Sequence, residues 1–134
     1  MKQLITAGLV VIKNRKLLLA FSKNKKAWYL PGGKIDINES TLNALIREIK
    51  EELNILLNEK ELKFYTHISA SAFGEYPEII MEQDCFLHNL LETPIPNAEI
   101  ESLKYFDRNS YQPETQVSGV VLLMQKLKED DLID

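Results

Sequence analysis

Two hydrophobic periodicities alternate along this chain, and their order is the feature that most constrains its fold. Residues 4–13 and 16–22 are apolar and rich in Val, Ile and Leu, which is typical of buried strands. From Ser40 to Leu53 the apolar residues recur instead at spacings of three and four, as on one face of a helix. These helical positions are Leu42, Leu45, Ile46, Ile49 and Leu53. The first half of the chain therefore predicts two strands followed by an amphipathic helix.

The second half of the chain repeats this order. Residues 62–73 alternate apolar and polar side chains, which predicts a half-buried strand with an antiparallel partner at 78–90, and residues 100–106 predict another short strand. The apolar positions of the first of these are Leu62, Phe64, Ile68, Ala70 and Ala72. Pro113 favours the start of a second helix. Its buried face is expected to comprise Val117, Val120, Val121, Met124 and Leu127. The acidic tail from Glu129 is expected to fray.

Short polar segments mark where these elements begin and end. Asn14 and Arg15 suit the turn of a tight antiparallel hairpin. The Pro-Gly-Gly segment 31–33 is expected to stop any strand, because proline lacks a ladder donor and glycine favours turns. Ser40 suits the N-cap of the first helix, and Asn54 can adopt the left-handed conformation that ends it.

These elements predict an α+β domain in which helices pack on the faces of a mixed sheet, as in an α/β/α sandwich. With 134 residues and 45% hydrophobic content, the chain is long enough for one core and too short for two. We therefore expect a single domain over residues 1–134.

Net charge and cysteine content argue against several classes of protein. A formal charge of −4 gives no basic footprint for a nucleic-acid polymer or for an anionic membrane. The apolar run at 4–12 is too short to span a bilayer and lacks a cleavage site, so it is expected to be a strand. Cys85 is the single cysteine, which excludes an internal disulfide and fits a cytoplasmic location.

Glu48, Glu51 and Glu52 share one face of the predicted first helix. At about 100° per residue, Glu52 lies at about +40° and Glu51 at about −60° from Glu48, beside an apolar stripe centred at about +115°. Like charges at this spacing destabilise a helix, and Lys50 points elsewhere. Ala44 on the same face is expected to leave open space above the acids. Three converging carboxylates match the oxygen ligands of Mg²⁺ or Mn²⁺, and a solvated acidic surface is the alternative.

The three acids belong to a longer pattern. Gly33 is followed after five residues by Glu39, and after seven more by REIKEELNI at 47–55. This resembles the signature of the Nudix hydrolases, Gly-x5-Glu-x7-Arg-Glu-U-x-Glu-Glu-x-Gly-U with U aliphatic, and so implies a Nudix-like α/β/α sandwich. Asn54 replaces the signature glycine. Because asparagine tolerates the left-handed conformation, we expect the helix cap to survive.

The resemblance implies a role for each matching residue. Glu48, Glu51 and Glu52 would be metal ligands, or for one of them the base that activates water, with Mg²⁺ or Mn²⁺ as cofactor. Arg47 would orient an acid, and Glu39 would pair with Arg47 to brace the loop. A plain surface ion pair is the alternative for these two residues.

Further ligands are expected outside the helix. In the family the backbone carbonyl at Gly32 or Gly33 often joins the metal shell, and one more acid often comes from the loop before a later strand. Glu99 and Glu101 are the local candidates for that acid, with Glu82 behind them. Surface charge is the alternative for all three.

The segment LPGGKIDINES is similar to the opening of the MutT-like nucleoside triphosphate pyrophosphohydrolases. The resemblance implies attack of water on the diphosphate linkage of a small nucleotide substrate. Lys34 is a candidate phosphate contact, Phe73 and Tyr111 are candidate platforms for stacking a base, and Glu114 is a candidate reader of its edge. Solvation of the lysine and packing of the aromatic residues are the alternatives.

Two other function classes are weaker expectations. The residues that often mark hydrolases of ADP-ribose or diadenosine polyphosphates are absent from 69–73. A nucleotide-sensing module without activity would usually have lost signature acids, and an interaction helix would tend to interleave lysine with glutamate. The sequence thus favours an enzyme, expected to be a monomer or a homodimer.

Overall fold

The structure, a computed structural model, describes residues 2–72 and 79–134. Its strands are β1 Gln3–Val10, β2 Ile12–Lys13, β3 Lys16–Ser22, β4 Ala27–Tyr29, β5 Gly32–Lys34, β6 Lys63–Ser71, β7 Ile80–Leu87 and β8 Ile100–Phe106. Its helices are α1 Thr41–Leu53 and α2 Ser118–Glu129, with a 3₁₀ turn at Glu59–Glu61. Neither of these α-helices is long and apolar enough to cross a membrane.

The described strands form two four-stranded sheets. The first is the predicted mixed sheet, in the order β5-β1-β7-β6, where β1 runs parallel to β7 and antiparallel to β5. In the second sheet, β3 pairs antiparallel with β2, β4 and β8. The predicted hairpin is confirmed at β2 and β3, and Asn14 and Arg15 both have positive φ in its turn. The chain passes from the first sheet to the second at Val11.

Both faces of the sheets are buried, because alternate residues of one strand enter two different cores. Leu9 and Leu18 pack with α1, whereas their neighbours Val10 and Leu19 pack with α2. The apolar stripe of α1 is buried at Leu45, Ile49 and Leu53, as predicted. The predicted α+β class, with helices on the two faces of the sheet, is confirmed.

The second helix differs from its prediction. It begins at Ser118, because the segment after Pro113 is a loop in which the hydroxyl of Tyr111 accepts a hydrogen bond from the Val117 N–H at 3.3 Å. Val121, predicted to be buried, is 38% exposed. The residues that α2 buries are Gly119, Val120, Leu123, Met124 and Leu127.

The acidic tail was predicted to fray, but it packs against the rest of the domain. Arg15 donates hydrogen bonds of 2.7 Å to the carboxylates of Asp131 and Asp134. Ile133 between them is fully buried in the core beneath α2. The hairpin turn therefore binds the carboxyl-terminal residues.

The alternation predicted for 62–73 breaks near its start. The register between β6 and β7 shifts between Phe64 and Thr66, so a bulge at this point changes which residues face inward. Phe64, expected inside, is 60% exposed. From Thr66 onward the pairing is regular.

The glycines after Pro31 form strand β5, which corrects the prediction that this segment stops any strand. Gly32 pairs with Gly8 of β1 and has a φ of +137°. A Cβ at Gly32 would lie only 2.1 Å from the carbonyl oxygen of Ala7. Proline precedes the paired residues, so its missing N–H does not interrupt the ladder, and glycine permits the close backbone approach. Short as it is, β5 carries the chain from the sheet to the start of α1.

Replacing Gly32 with alanine should destabilise the protein, because a side chain there would adopt a strained backbone conformation and meet the Ala7 carbonyl. We expect Gly32→Ala to lower the free energy of unfolding by at least about 1–3 kcal/mol in urea denaturation. Gly119→Ala is the matched control. It lies in α2, where a Cβ would meet the flexible end of Met81 at 2.9 Å and Ile68 at an ordinary contact distance of 3.8 Å, so it should change stability by about 1 kcal/mol or less. Equal effects of the two substitutions would contradict this account of β5.

Candidate active site

The acidic helix α1 is fixed at both ends by the predicted caps. The Ser40 hydroxyl accepts a hydrogen bond of 3.1 Å from the Asn43 N–H. Asn54 adopts the left-handed conformation, with φ 56° and ψ 39°, and its N–H donates to the Lys50 carbonyl. Asparagine therefore serves in place of the signature glycine, as expected. The two caps fix where the helix begins and ends, and they thereby help to set the direction in which its acidic face points.

Glu52 is the buried acid of this face, with 7% of the residue exposed. One of its carboxylate oxygens accepts a hydrogen bond of 3.0 Å from the Gly32 N–H of β5. Burial, together with the charges of Glu48, Glu99 and Glu51, raises the pKa of this carboxyl group to about 8, against the opposing effect of the Gly32 N–H. A carboxylate at this position is costly unless positive charge lies nearby.

Glu48 lies directly against the second glycine of β5. A Cβ at Gly33 would be 2.5 Å from the carboxyl carbon of Glu48, so only glycine leaves room for the acid there. Partial burial raises the pKa of Glu48, although Arg47 opposes the shift through a hydrogen bond of 3.0 Å. The two glycines of β5 thus face Glu48 and Glu52, the two most buried acids of α1.

Arg47 braces the loop that leads into α1. Its guanidinium makes two parallel hydrogen bonds of 2.8 and 2.9 Å to Glu39, and it also donates to the Lys34 carbonyl at 3.1 Å. The bond to Arg47 lowers the pKa of Glu39 to about 2, helped by the N–H of Asp36. The pairing that the resemblance implied is present, and its geometry is that of a brace.

Of the acids expected outside the helix, Glu99 lies at the site. Its charge raises the pKa values of both Glu48 and Glu52, and the Asn97 N–H beside it donates to the Glu52 carbonyl at 2.9 Å. Glu101 is exposed on β8, where the register with β3 shifts. Glu82 lies on β7 and accepts hydrogen bonds from Ser69 and His67 of β6.

Glu51 is the most exposed of the three helix acids, with 54% of its side chain accessible and Arg47 at 3.7 Å. Ala44, expected to leave open space above the acids, is fully buried instead. The space lies on the other side, towards β5. Glu51 is thus the acid that borders solvent.

The chemistry of this site fits a divalent metal ion. Glu48, Glu51, Glu52 and Glu99 supply oxygen donors, and burial, with a further contribution from their mutual repulsion, raises the pKa values of Glu48 and Glu52. Hard cations such as Mg²⁺ and Mn²⁺ prefer oxygen donors of this kind. Among the described residues no three such groups converge as a ready-made metal shell. Arg47 and the Gly32 N–H engage two of the carboxylates instead.

A cavity of about 350 Å³ opens beside Glu52 and Glu99. The two sheets enclose it, with Gly32, Gly33 and Lys34 of β5 along one side. Its remaining walls are mostly apolar, with polar residues such as Thr6, Ser22 and Ser71 among them, and the apolar residues are Leu4, Ala20, Leu30, Ala72, Met81, Ile100 and Val117. The acidic site and a pocket for an organic group are therefore continuous.

The other predicted substrate residues are distributed differently. Lys34 lines the cavity, as a phosphate contact would. Tyr111 is 5% exposed and packs against Phe106 with ring centroids 5.7 Å apart, so it lies in the core and offers no face for stacking. Glu114 is exposed in the loop before α2 and does not line the cavity. Phe73 lies outside the described residues.

Sequence reasoning missed six polar residues of the cavity in the part of the chain that the structure describes, namely Thr6, Ser22, Lys25, Tyr29, Ser71 and Gln83. Tyr29 and Lys25 come from β4 and the loop before it, and Gln83 comes from β7. The strand periodicity predicts that successive side chains of these segments point to opposite faces of a sheet. It does not predict which of the two faces borders the acidic helix, because that depends on the pairing of distant strands.

Comparison with known proteins agrees with this geometry. The family model of the NUDIX domain matches residues 2–126. A crystal structure of a MutT NUDIX hydrolase from Burkholderia pseudomallei has a TM-score of 0.73 and 21% identity, covering 93% of this chain and 98% of that one. A bifunctional NMN adenylyltransferase/ADP ribose pyrophosphatase from Francisella tularensis, complexed with AMP and a Mn ion, has a TM-score of 0.68 and 22% identity, covering 95% of this chain and 42% of that one.

Among named proteins, the mRNA-decapping protein D10 of fowlpox virus (strain NVSL) is 35% identical over 98 residues. The match covers 68% of this chain and 44% of that protein, so the chain spans less than half the length of this relative.

The fold is thus that of the MutT-like Nudix domains, and the acidic helix carries their signature. The chain belongs to the Nudix hydrolase family, whose members hydrolyse phosphoric anhydrides of nucleoside diphosphate derivatives. The resemblance inferred from residues 33–55 is confirmed.

The raised pKa of Glu52 makes the stability of the metal-free protein depend on pH. The pKa is about 4.5 in the unfolded chain and about 8 in the folded one, so the folded state binds the proton more tightly. The stabilisation is fully present below about pH 4.5 and is lost as the pH rises through about 8. In EDTA, Glu52→Gln should therefore be more stable than wild type at pH 8, and the difference should shrink towards pH 4.5. Urea denaturation at several pH values measures it, and a difference independent of pH would contradict the burial of an ionisable Glu52.

Proposed function

We propose that this domain hydrolyses the diphosphate linkage of a small nucleotide, converting a nucleoside triphosphate to the monophosphate and pyrophosphate. The observation that carries the proposal is the position of Glu52, a buried acid beside Glu48 and Glu99 that borders a cavity of about 350 Å³. The acids would act on the phosphates while the cavity holds the organic group.

Glu48, Glu51 and Glu99 would hold Mg²⁺ or Mn²⁺, with the carbonyl of Gly33 as a further ligand and Glu52 as either a ligand or the base that activates water. A bound divalent ion supplies positive charge to the phosphate oxygens and makes water a stronger acid. Lys34 at the edge of the cavity would contact a phosphate. The Mn ion in the Francisella tularensis structure supports the same class of cofactor here.

The environments of the acids suggest how their work is divided. Arg47 holds the pKa of Glu39 at about 2, so Glu39 stays ionised and serves as a brace. Burial raises the pKa of Glu52 to about 8, so Glu52 can hold or release a proton near neutral pH. Acids whose pKa values are driven apart in this way commonly divide structural and chemical roles. Glu52 is therefore our candidate to receive a proton from the attacking water.

A second candidate substrate is the triphosphate bridge of an mRNA cap. Its support is the 35% identity with a protein named as a decapping protein, over a region that includes less than half of that protein. Both substrates would present a nucleoside beside a phosphoric anhydride, so the same acids would act on either. A substrate panel separates them.

The proposal predicts that hydrolysis depends on both the metal and Glu52. Release of phosphate or pyrophosphate should be measured for nucleoside triphosphates, ADP-ribose, diadenosine polyphosphates and a cap dinucleotide with Mg²⁺ or Mn²⁺. At least one substrate should turn over, EDTA should abolish the turnover, and Glu52→Gln should reduce it by several orders of magnitude.

Glu61→Gln is the matched control, since Glu61 is exposed in the 3₁₀ turn and makes the same change of charge. It should keep full activity. Turnover that survives Glu52→Gln would rule out this role for the acidic helix. A panel with no turnover, together with metal binding, would favour a sensing module instead.

Arg47 should act by positioning the acids. Lysine would keep the charge but lose the pair of parallel hydrogen bonds to Glu39 and the contact with Glu48. We expect Arg47→Lys to lower kcat by about 10- to 100-fold with little change in KM, because the guanidinium supports ligands and touches no substrate. Arg108→Lys, at an exposed arginine, is the control and should change neither constant. An increase in KM with an unchanged kcat would instead indicate direct contact with substrate.

A further inference from the structure

The cavity beside Glu52 extends along the first sheet, away from the acids. Leu4 pairs with Met81, and Thr6 pairs with Gln83, in the parallel register of β1 and β7, and all four residues line the cavity. Gln83 lies two strands and two residues from Gly32, which places their Cα atoms roughly 12 Å apart. A nucleotide whose phosphates lie at Glu52 would therefore bring its base towards Gln83.

The amide of Gln83 is open to a ligand. Its oxygen receives a weak contact of 3.8 Å from the Cys85 thiol. The amide nitrogen of Gln83 has no hydrogen-bond partner among the described residues, 2–72 and 79–134. No fully buried side-chain nitrogen or oxygen of the described residues lacks a partner, so this nitrogen is accessible from the cavity.

The absence of a side chain at Gly8 leaves the space that the Gln83 side chain occupies. A Cβ at Gly8 would lie 3.0 Å from the amide carbon of Gln83 and 2.5 Å from Leu30. The glutamine therefore packs over bare backbone in the centre of the sheet, with Leu30 beside it. An amide held in this way can bind a ligand at a smaller cost in side-chain entropy.

A carboxamide offers one donor and one acceptor side by side. This matches the adjacent N6 donor and N7 acceptor of adenine, the standard partner of glutamine in base recognition. Guanine presents two acceptors on the same edge, so the carboxamide could satisfy one of them and would set its own oxygen against the other. The amide of Gln83 is therefore better matched to adenine than to guanine.

We propose that Gln83 is the specificity-determining residue of the cavity and selects an adenine nucleotide. This inference builds on the proposed function, and it adds which base the substrate carries and which side chain reads it.

The test compares kcat/KM for ATP, ITP and GTP, which share the triphosphate and differ at the purine edge. Wild type should prefer ATP over the other two by about tenfold or more. Gln83→Met, of similar size but without the amide, should lose this preference by lowering the value for ATP alone. Gln125→Met, at an exposed glutamine of α2, should behave as wild type.

A wild-type preference for ITP or GTP would overturn the proposal, and so would an equal loss on all three substrates in Gln83→Met. Calorimetry with AMP in EDTA separates this failure from that of the proposed function. AMP binding that Gln83→Met weakens by about tenfold would support adenine selection even if no triphosphate were hydrolysed. Equal affinity of wild type and Gln83→Met for AMP would overturn the selection of adenine by Gln83, but it would leave the proposed hydrolytic function untouched.

Discussion

The hydrogen bond from the Gly32 N–H to Glu52 joins the sheet to the acidic helix, and the geometry of the site depends on it. The bond exists because Gly32 adopts a backbone conformation that brings β5 against β1. The same approach puts Gly33 against the carboxyl group of Glu48. Two adjacent glycines thereby set the positions of two acids four residues apart on α1. A side chain at Gly32 would push β5 away from the backbone of β1, and one at Gly33 would displace the carboxyl group of Glu48.

Charge within the site is unevenly compensated. Arg47 directs its hydrogen bonds to Glu39, Glu48 and the Lys34 carbonyl, which ties the β5–α1 loop to the helix. Glu52 receives one hydrogen bond, from a neutral backbone N–H, and carries the raised pKa. Breaking a charge pair or burying an uncompensated acid is costly. The family's use of a cation therefore has a direct electrostatic basis in this chain.

Features set by local chemistry were predictable from the sequence. Ser40 and Asn54 end α1 as expected because capping depends on neighbouring residues, and the stripe from Leu45 to Leu53 is buried because one helix face meets one core. The pairing of Glu39 with Arg47 followed from the resemblance to a family signature.

Features set by distant contacts were not predictable. Strand β5 was not predicted, because Pro31 is unfavourable within a strand and β5 forms through its pairing with the distant strand β1. Tyr111 had the composition of a stacking platform but lies in the core, because a later loop folds over it. Gln83 had no distinguishing local signal, since only the parallel alignment of β1 and β7 turns it towards the acidic site.

That parallel alignment also bears on how the chain folds. Gln3 of β1 pairs with Ile80 of β7, and both the acidic helix and β6 lie between them in sequence. On a ribosome, the nascent chain would release α1 well before the central strand pair could close. Closure across so long a segment is entropically slow, so Glu52 would remain hydrated and ionised until the sheet formed around it. Assembly of the complete sheet around the acidic site is thus expected to await the synthesis of β7, the strand that pairs with β1.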